Sequence, residues 1–156
     1  MVLKFDSEAI GFLIADVARL LRAEFDRRTS SAGLGLTPGE ARILVATARI
    51  GPVRQAVLAE RVGIEAMTLS SYLDRLEAQG LVSRTTDPND RRAKLVEVTG
   101  PAEPVLAAIS EISDKLRGDI SASLSPGRLE EVRQGLKQIQ VSLQGMKPDC
   151  GKNDPE

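Results

Sequence analysis

Between positions 67 and 94 the chain gathers hydrogen-bond donors at spacings that suit recognition rather than catalysis. At about 100° per residue on a helix, Met67, Thr68, Ser71, Arg75 and Ala78 share one side, while Leu69, Leu73 and Leu76 fall in a narrow arc opposite. One face packs and the other is short, polar and positive. Hydroxyls and a guanidinium on such a face reach phosphates and base edges, whereas bulky or acidic groups would block close approach. Ser70 is counted with this donor set. Arg84, Asp90, Arg91, Arg92 and Lys94 follow, five charged positions around a segment rich in turn residues, Asp87-Pro88-Asn89. The bland readings are hydroxyls at a helix start and a solvated turn. Arg75 could also pair within its helix with Asp74 or Glu77, although offsets of one and two are poorly placed for it. Arg84 and Lys94 read equally well as phosphate contacts or as exposed strand charges.

Catalytic readings fail on composition. The chain has no histidine, which removes Ser-His and Cys-His catalysis and the imidazole-based metal sites. It has no glycine-rich phosphate loop either. No enzyme, cofactor or metal is expected.

The elements that must position these donors are legible from periodicity. Ile10, Leu13, Val17, Leu20, Leu21 and Phe25 recur at three- and four-residue steps, predicting one long amphipathic helix up to Gly33-Leu34-Gly35. Thr37, Pro38 and Glu40 supply a cap, a first-turn proline and an early acid for a helix through about Ile50, which Gly51-Pro52 stops. A short helix over 55–62, a turn at Gly63, a helix over 65–79 and strands over 81–86 and 93–98 complete the centre. This order predicts a mainly α chain with a small β-hairpin: a winged helix-turn-helix. Its second helix fits a DNA major groove and its hairpin reaches a neighbouring minor groove. Asp90-Arg91-Arg92 then becomes the tip of the wing. Arg92 is expected to insert, and Asp90 to hold the Arg92 guanidinium outward through a paired hydrogen bond. Two further helices follow, one carrying Val105, Ile109, Ile112, Leu116, Ile120 and Leu124, the other Leu129, Val132, Leu136, Ile139 and Leu143. Their stripes call for partner helices.

At 156 residues and 42% hydrophobic content, the chain is read as one regulator domain over 1–146. Its reading core spans about 36–100, with dimerisation helices at about 6–32 and 101–146 and a disordered tail at 147–156. The net charge of −1 is low for a DNA binder, so positive charge must be segregated onto the reading helix and wing. No signal peptide or membrane span is evident, and a cytoplasmic location is expected. Cys150 lies in the tail and cannot form an internal disulfide. Leu13, Val17 and Ile43 are read as core rather than as walls of an effector site.

The series Leu36-Thr37, Leu58-Ala59-Glu60, Val62-Gly63-Ile64, Leu73-Asp74-Arg75-Leu76-Glu77, Gly80-Leu81-Val82, Arg84, Asp87-Pro88, Asp90-Arg91-Arg92 and Val98-Thr99 resembles the MarR family of bacterial transcription regulators. The resemblance implies a homodimer joined through its terminal helices, and binding to double-stranded operator DNA. It also implies repression of nearby genes until a small ligand or an oxidant relaxes it. This chain departs from the family pattern in three places. Arg54 stands where a threonine cap is common, Glu65 where a serine often begins the reading helix, and Ser71 where a long polar side chain is frequent. The first helix also lacks the cysteine of the family's thiol sensors. The alternative is a winged-helix adaptor that binds protein rather than DNA, which would require an anionic reading face.

Overall fold

The computed structural model describes residues 9–146. The expected tail at 147–156 and the first residues of the N-terminal helix lie outside that range. From the N-terminus the chain forms α1 (Ile10–Ser31), α2 (Pro38–Ile50), β1 (Val53–Arg54), α3 (Gln55–Val62), α4 (Ala66–Ala78), β2 (Val82–Asp87), β3 (Asp90–Val98), a 3-10 turn at Gly100–Ala102, α5 (Glu103–Ala122) and α6 (Arg128–Gly145). The described residues divide into two compact units inside α5, between Leu116 and Arg117.

Local chemistry sets the boundaries of the first unit. Thr37 accepts a hydrogen bond from the Glu40 backbone N–H while the Glu40 carboxylate accepts from the Thr37 N–H, a reciprocal cap on α2. Gly63 adopts φ 72°, a left-handed conformation that lets α3 end and the chain turn into α4.

The sheet differs from the expected two-stranded hairpin. It has three antiparallel strands in the order β1-β3-β2, with Val53 opposite Val96 and Arg54 opposite Leu95. A two-residue strand directly after Gly51-Pro52 is too short to show alternation, which is why periodicity missed β1. β2 and β3 pair from Val82 opposite Val98 to Thr86 opposite Lys94, with an irregularity before Asp87.

The core lies where α2, α3 and α4 meet the sheet. Ile43, Leu44, Leu58, Leu69, Leu73, Leu76, Val82 and Val96 are buried there, and Phe25 packs against the cluster from α1. Each fully buried leucine contributes about 2 kcal/mol of burial energy. The Arg42 guanidinium grips both oxygens of Asp26, tying α1 to α2.

Most of α1 has no cover. Thr29 is its one buried residue, whereas Ile10, Leu13, Ile14, Val17, Leu20 and Leu21 are exposed. Leu13 and Val17 are therefore not core among the described residues, contrary to expectation, because none of these residues buries that face of the helix. Ile43 is core, at 2% exposed.

In the second unit α6 has no buried residue, and Val132, Leu136, Val141 and Leu143 are exposed. An open cleft of 620 Å³ in this unit is lined by Leu129, Val132 and Leu136 with Arg117 and Arg133. Its first turn is charged: the Arg133 guanidinium and the Gln134 amide beside Glu130 hold that carboxyl at about 2. No helix among the described residues is long and apolar enough to cross a membrane.

Candidate nucleic-acid interface

The leucine face of α4 anchors it completely: Leu69, Leu73 and Leu76 are 0% exposed. Periodicity then forces Met67, Thr68, Ser71 and Arg75 outward, and all four are exposed. The Ser71 hydroxyl donates to the Met67 carbonyl at 3.2 Å, a bond within the helix that solvent or a ligand can replace. Ser70 is half-buried, on the flank of the helix rather than on its outer face. Neither Arg54 nor Glu65 caps the helix it precedes, in line with the residue types at those positions.

The wing is a tighter structure than a solvated turn. β3 begins at Asp90, so Asp90, Arg91 and Arg92 form the start of a strand, and Pro88-Asn89 alone make the tip. This corrects the expected triplet tip. Successive strand residues point to opposite sides, so Arg91 and Arg92 extend from the two faces of the hairpin. Both are exposed, and no carboxylate among the described residues pairs with either. The role expected of Asp90 also changes. Its Oδ1 accepts from the Arg92 backbone N–H at 3.1 Å, not from the guanidinium. A short carboxylate two residues upstream reaches the main chain first, so Asp90 fixes the backbone from which Arg92 projects.

At the turn end of the wing, directly before Pro88, Asp87 is buried. Its Oδ1 accepts from the Asn89 N–H at 2.8 Å and its Oδ2 from Arg54 Nε at 2.6 Å. The Asn89 N–H outweighs the cost of burial and, with Arg54, holds the carboxyl below its ordinary range.

Three of the remaining cations have partners that the sequence did not show. Arg84 is not a free strand charge. Its Nε and Nη2 donate to Glu77 at 3.0 and 2.6 Å, and Nη2 also meets Asp74 at 2.6 Å. Its backbone N–H bonds the other Glu77 oxygen at 3.1 Å, and the side chain is 20% exposed. Arg84 joins α4 to β2, lowering the pKa of Glu77 while its own is raised by that bond. Arg75 pairs with neither Asp74 nor Glu77 but donates Nε to Glu40 on α2. Lys94 is exposed and donates to the Thr86 hydroxyl across the hairpin at 3.0 Å.

The structure thus brings Met67, Thr68, Ser71, Arg91, Arg92 and Lys94 to the surface and uses Arg84 internally. It adds Arg54, Asp87 and Glu40, which sequence reasoning treated as a poor cap, a turn residue and an early helix acid. The model of the MarR family matches residues 34–93, which take in α2 to α4 and the wing turn. Over these residues the chain is similar to the MarR family.

The likeness extends well past the MarR-type reader. The transcriptional regulator BldR from Sulfolobus solfataricus is 28% identical, with 90% of this chain and 99% of that one covered at a TM-score of 0.72. A MarR-family transcriptional regulator from Rhodococcus sp. RHA1 is 25% identical, with 88% and 96% covered at 0.73. A mutant MarR from E. coli, complexed with operator DNA, shares the fold at 21% identity, with 88% and 99% covered at 0.68. The chain has the fold of MarR-family transcription regulators, mainly helical with a small antiparallel sheet.

Proposed function

We propose that the chain is a DNA-binding transcription regulator that acts as a homodimer on a pseudo-palindromic operator. On this reading it represses nearby genes and a small molecule relieves the repression. The observation that carries it is a MarR-type reader whose outer α4 face is short and polar, next to a hairpin bearing two arginines without carboxylate partners. Thr68 and Ser71 face the major groove, with Met67 on the same side and Ser70 at the flank. Arg92 enters the minor groove, with Arg91 and Lys94 on the flanking phosphates. Asp90 orients the backbone beneath Arg92.

Dimerisation is supported by the apolar residues of α1 and, separately, of α6 that are exposed among the described residues. A second copy buries such surfaces by two-fold symmetry. Two reading helices about one DNA turn apart, roughly 34 Å, then match the half-sites of a pseudo-palindrome. An effector would act by moving α1 against the reader, to which the Asp26 and Arg42 pair ties it. The protein-binding adaptor needs an anionic reading face, and the free arginines of the wing weigh against it.

The test is a binding titration on duplex DNA from upstream of its own gene, repeated between about 50 and 200 mM salt. A steep linear fall of log affinity with log salt supports the reading. A flat dependence, or no binding, contradicts it.

A further inference from the structure

Glu40 is 3% exposed and performs two tasks with one carboxylate. Its Oε2 accepts from the Thr37 N–H at 2.8 Å, closing the cap of α2, and its Oε1 accepts from Arg75 Nε on α4. The Arg75 guanidinium carbon also lies 5.2 Å from the centre of the Tyr72 ring. Tyr72 in turn fills the space over Gly39, where any added Cβ would come within 2.5 Å of the ring. Gly39 and Tyr72 therefore set how closely the first turn of α2 approaches α4. The ion pair beside them resists rotation of α4 about its own axis.

Arg75 is four residues from Ser71 and seven from Thr68, so all three share the outer face of α4. Swinging Arg75 outward to a phosphate would leave the Glu40 carboxylate buried without its counter-charge, a costly arrangement. Kept in place, the pair is electrically neutral and displaces no counterion from DNA.

We propose that Glu40 and Arg75 form a clasp, braced by Tyr72 over Gly39, that sets the angle at which α4 presents Thr68 and Ser71 to the groove. Arg75 is a positioning residue that acts through α4, not a phosphate contact. This deepens the regulator reading and rests on it.

The test uses the full chain with Glu40→Gln, Arg75→Met, their combination and Arg75→Lys. A glutamine at position 40 keeps an acceptor for the Thr37 N–H but turns a neutral amide toward Arg75. Arg75→Lys keeps the charge and loses the planar fork. Affinity for the upstream DNA duplex is measured across salt concentrations, alongside tyrosine fluorescence, since Tyr72 is the chain's one tyrosine and there is no tryptophan.

Each single variant is expected to bind about ten-fold more weakly, within the range of coupling between contacting residues, with the wild-type salt slope retained. The double variant loses little more, and tyrosine emission changes in the same sense in all. A slope reduced by about one unit in Arg75→Met, with full affinity in Arg75→Lys and Glu40→Gln, overturns the clasp and makes Arg75 a phosphate contact. Unchanged affinity in every variant overturns it as well. If Arg75→Met does not fold, Glu40→Gln and Arg75→Lys decide alone. Should the wild-type chain fail to bind DNA, the regulator reading falls, and the clasp stands or falls on the tyrosine signal: unchanged emission in the variants rejects it.

Discussion

Arg54 and Asp87 are 33 residues apart in sequence and meet at 2.6 Å beside the turn of the wing. Arg54 belongs to β1, which pairs with β3 opposite Leu95, while Asp87 ends β2. One carboxylate thus gathers all three strands, because it also accepts the Asn89 N–H that closes the turn into β3. The segment carrying Arg91 and Arg92 is thus pinned at the turn end of the hairpin, beyond the strand ladder that runs from Val82 to Thr86. A reach into a minor groove needs arginines that project from a fixed backbone, and this pair fixes the backbone beside them.

Replacing Asp87 with alanine should loosen the tip without unfolding the reader. Amide exchange over 88–92 is expected to rise on the order of ten-fold, as for a lost charge-assisted hydrogen bond. Helical circular dichroism should stay unchanged. Exchange at the wild-type rate would show that the turn is held by the strand ladder alone.

Gly39→Ala should destabilise the chain even though alanine is the better helix former. The added Cβ would meet the Tyr72 ring at 2.5 Å, and overpacking of this kind costs about 1–3 kcal/mol. Combining it with Tyr72→Leu should recover part of that loss in urea unfolding. A Gly39→Ala protein as stable as the wild type would mean that α2 and α4 are not in close contact there.

Val17→Asp tests the uncovered face of α1. Val17 is 53% exposed in the single chain, so the substitution should leave the fold intact and act on association alone. A carboxylate placed in an apolar interface should weaken dimerisation by at least about ten-fold. Sedimentation equilibrium reads the change. A dimer of wild-type strength would place the interface elsewhere.

Arg92→Ala should weaken operator binding by about 1–3 kcal/mol and leave the dimer intact. Titration at fixed salt measures it. Wild-type affinity would remove Arg92 from the minor groove and leave the wing to Arg91.

Acid should destabilise the protein, while mid-range pH should not matter. Glu40, Glu77 and Asp87 are held below their ordinary values of 4.5, 4.5 and 3.8. At Glu40 burial raises the value, but the Thr37 N–H and the Arg75 guanidinium outweigh it; at Glu77 the Arg84 guanidinium dominates. A depressed carboxylate stabilises the fold above its unfolded pKa, and that contribution is lost as pH falls through the folded value. With no histidine in the chain, urea midpoints should be level between about pH 5.5 and 7.5 and fall below about 4.5. A step near pH 6.5 would contradict this.

What was legible in the sequence was local. Thr37 and Pro38 placed the start of α2, Gly63 its turn partner after α3, and the leucine spacing the buried face of α4. All of these depend on residues within one or two turns of each other. β1 escaped because two residues carry no period, and Asp90-Arg91-Arg92 escaped as a strand because turn-forming residues dominate the local signal. The ion pairs joining Asp26 to Arg42, Glu40 to Arg75 and Arg54 to Asp87 span 16, 35 and 33 residues. No periodicity encodes such a match, so Arg75 read as a groove donor and Arg84 as a phosphate contact or exposed strand charge, when both have carboxylate partners inside the fold. Exposure of Leu13 and Val17 was equally hidden, since an apolar stripe does not say whose helix covers it.

The account depends on two chains reading one duplex in register, and the most direct measurement counts them and tests their spacing together. With the site footprinted upstream of its own gene, gel-shift titration should give two chains per duplex. Inserting about five base pairs between the half-sites should abolish tight binding, and about ten should restore much of it, because the two reading helices must meet the same face of the DNA. One chain per duplex, or indifference to the insertion, would contradict the account.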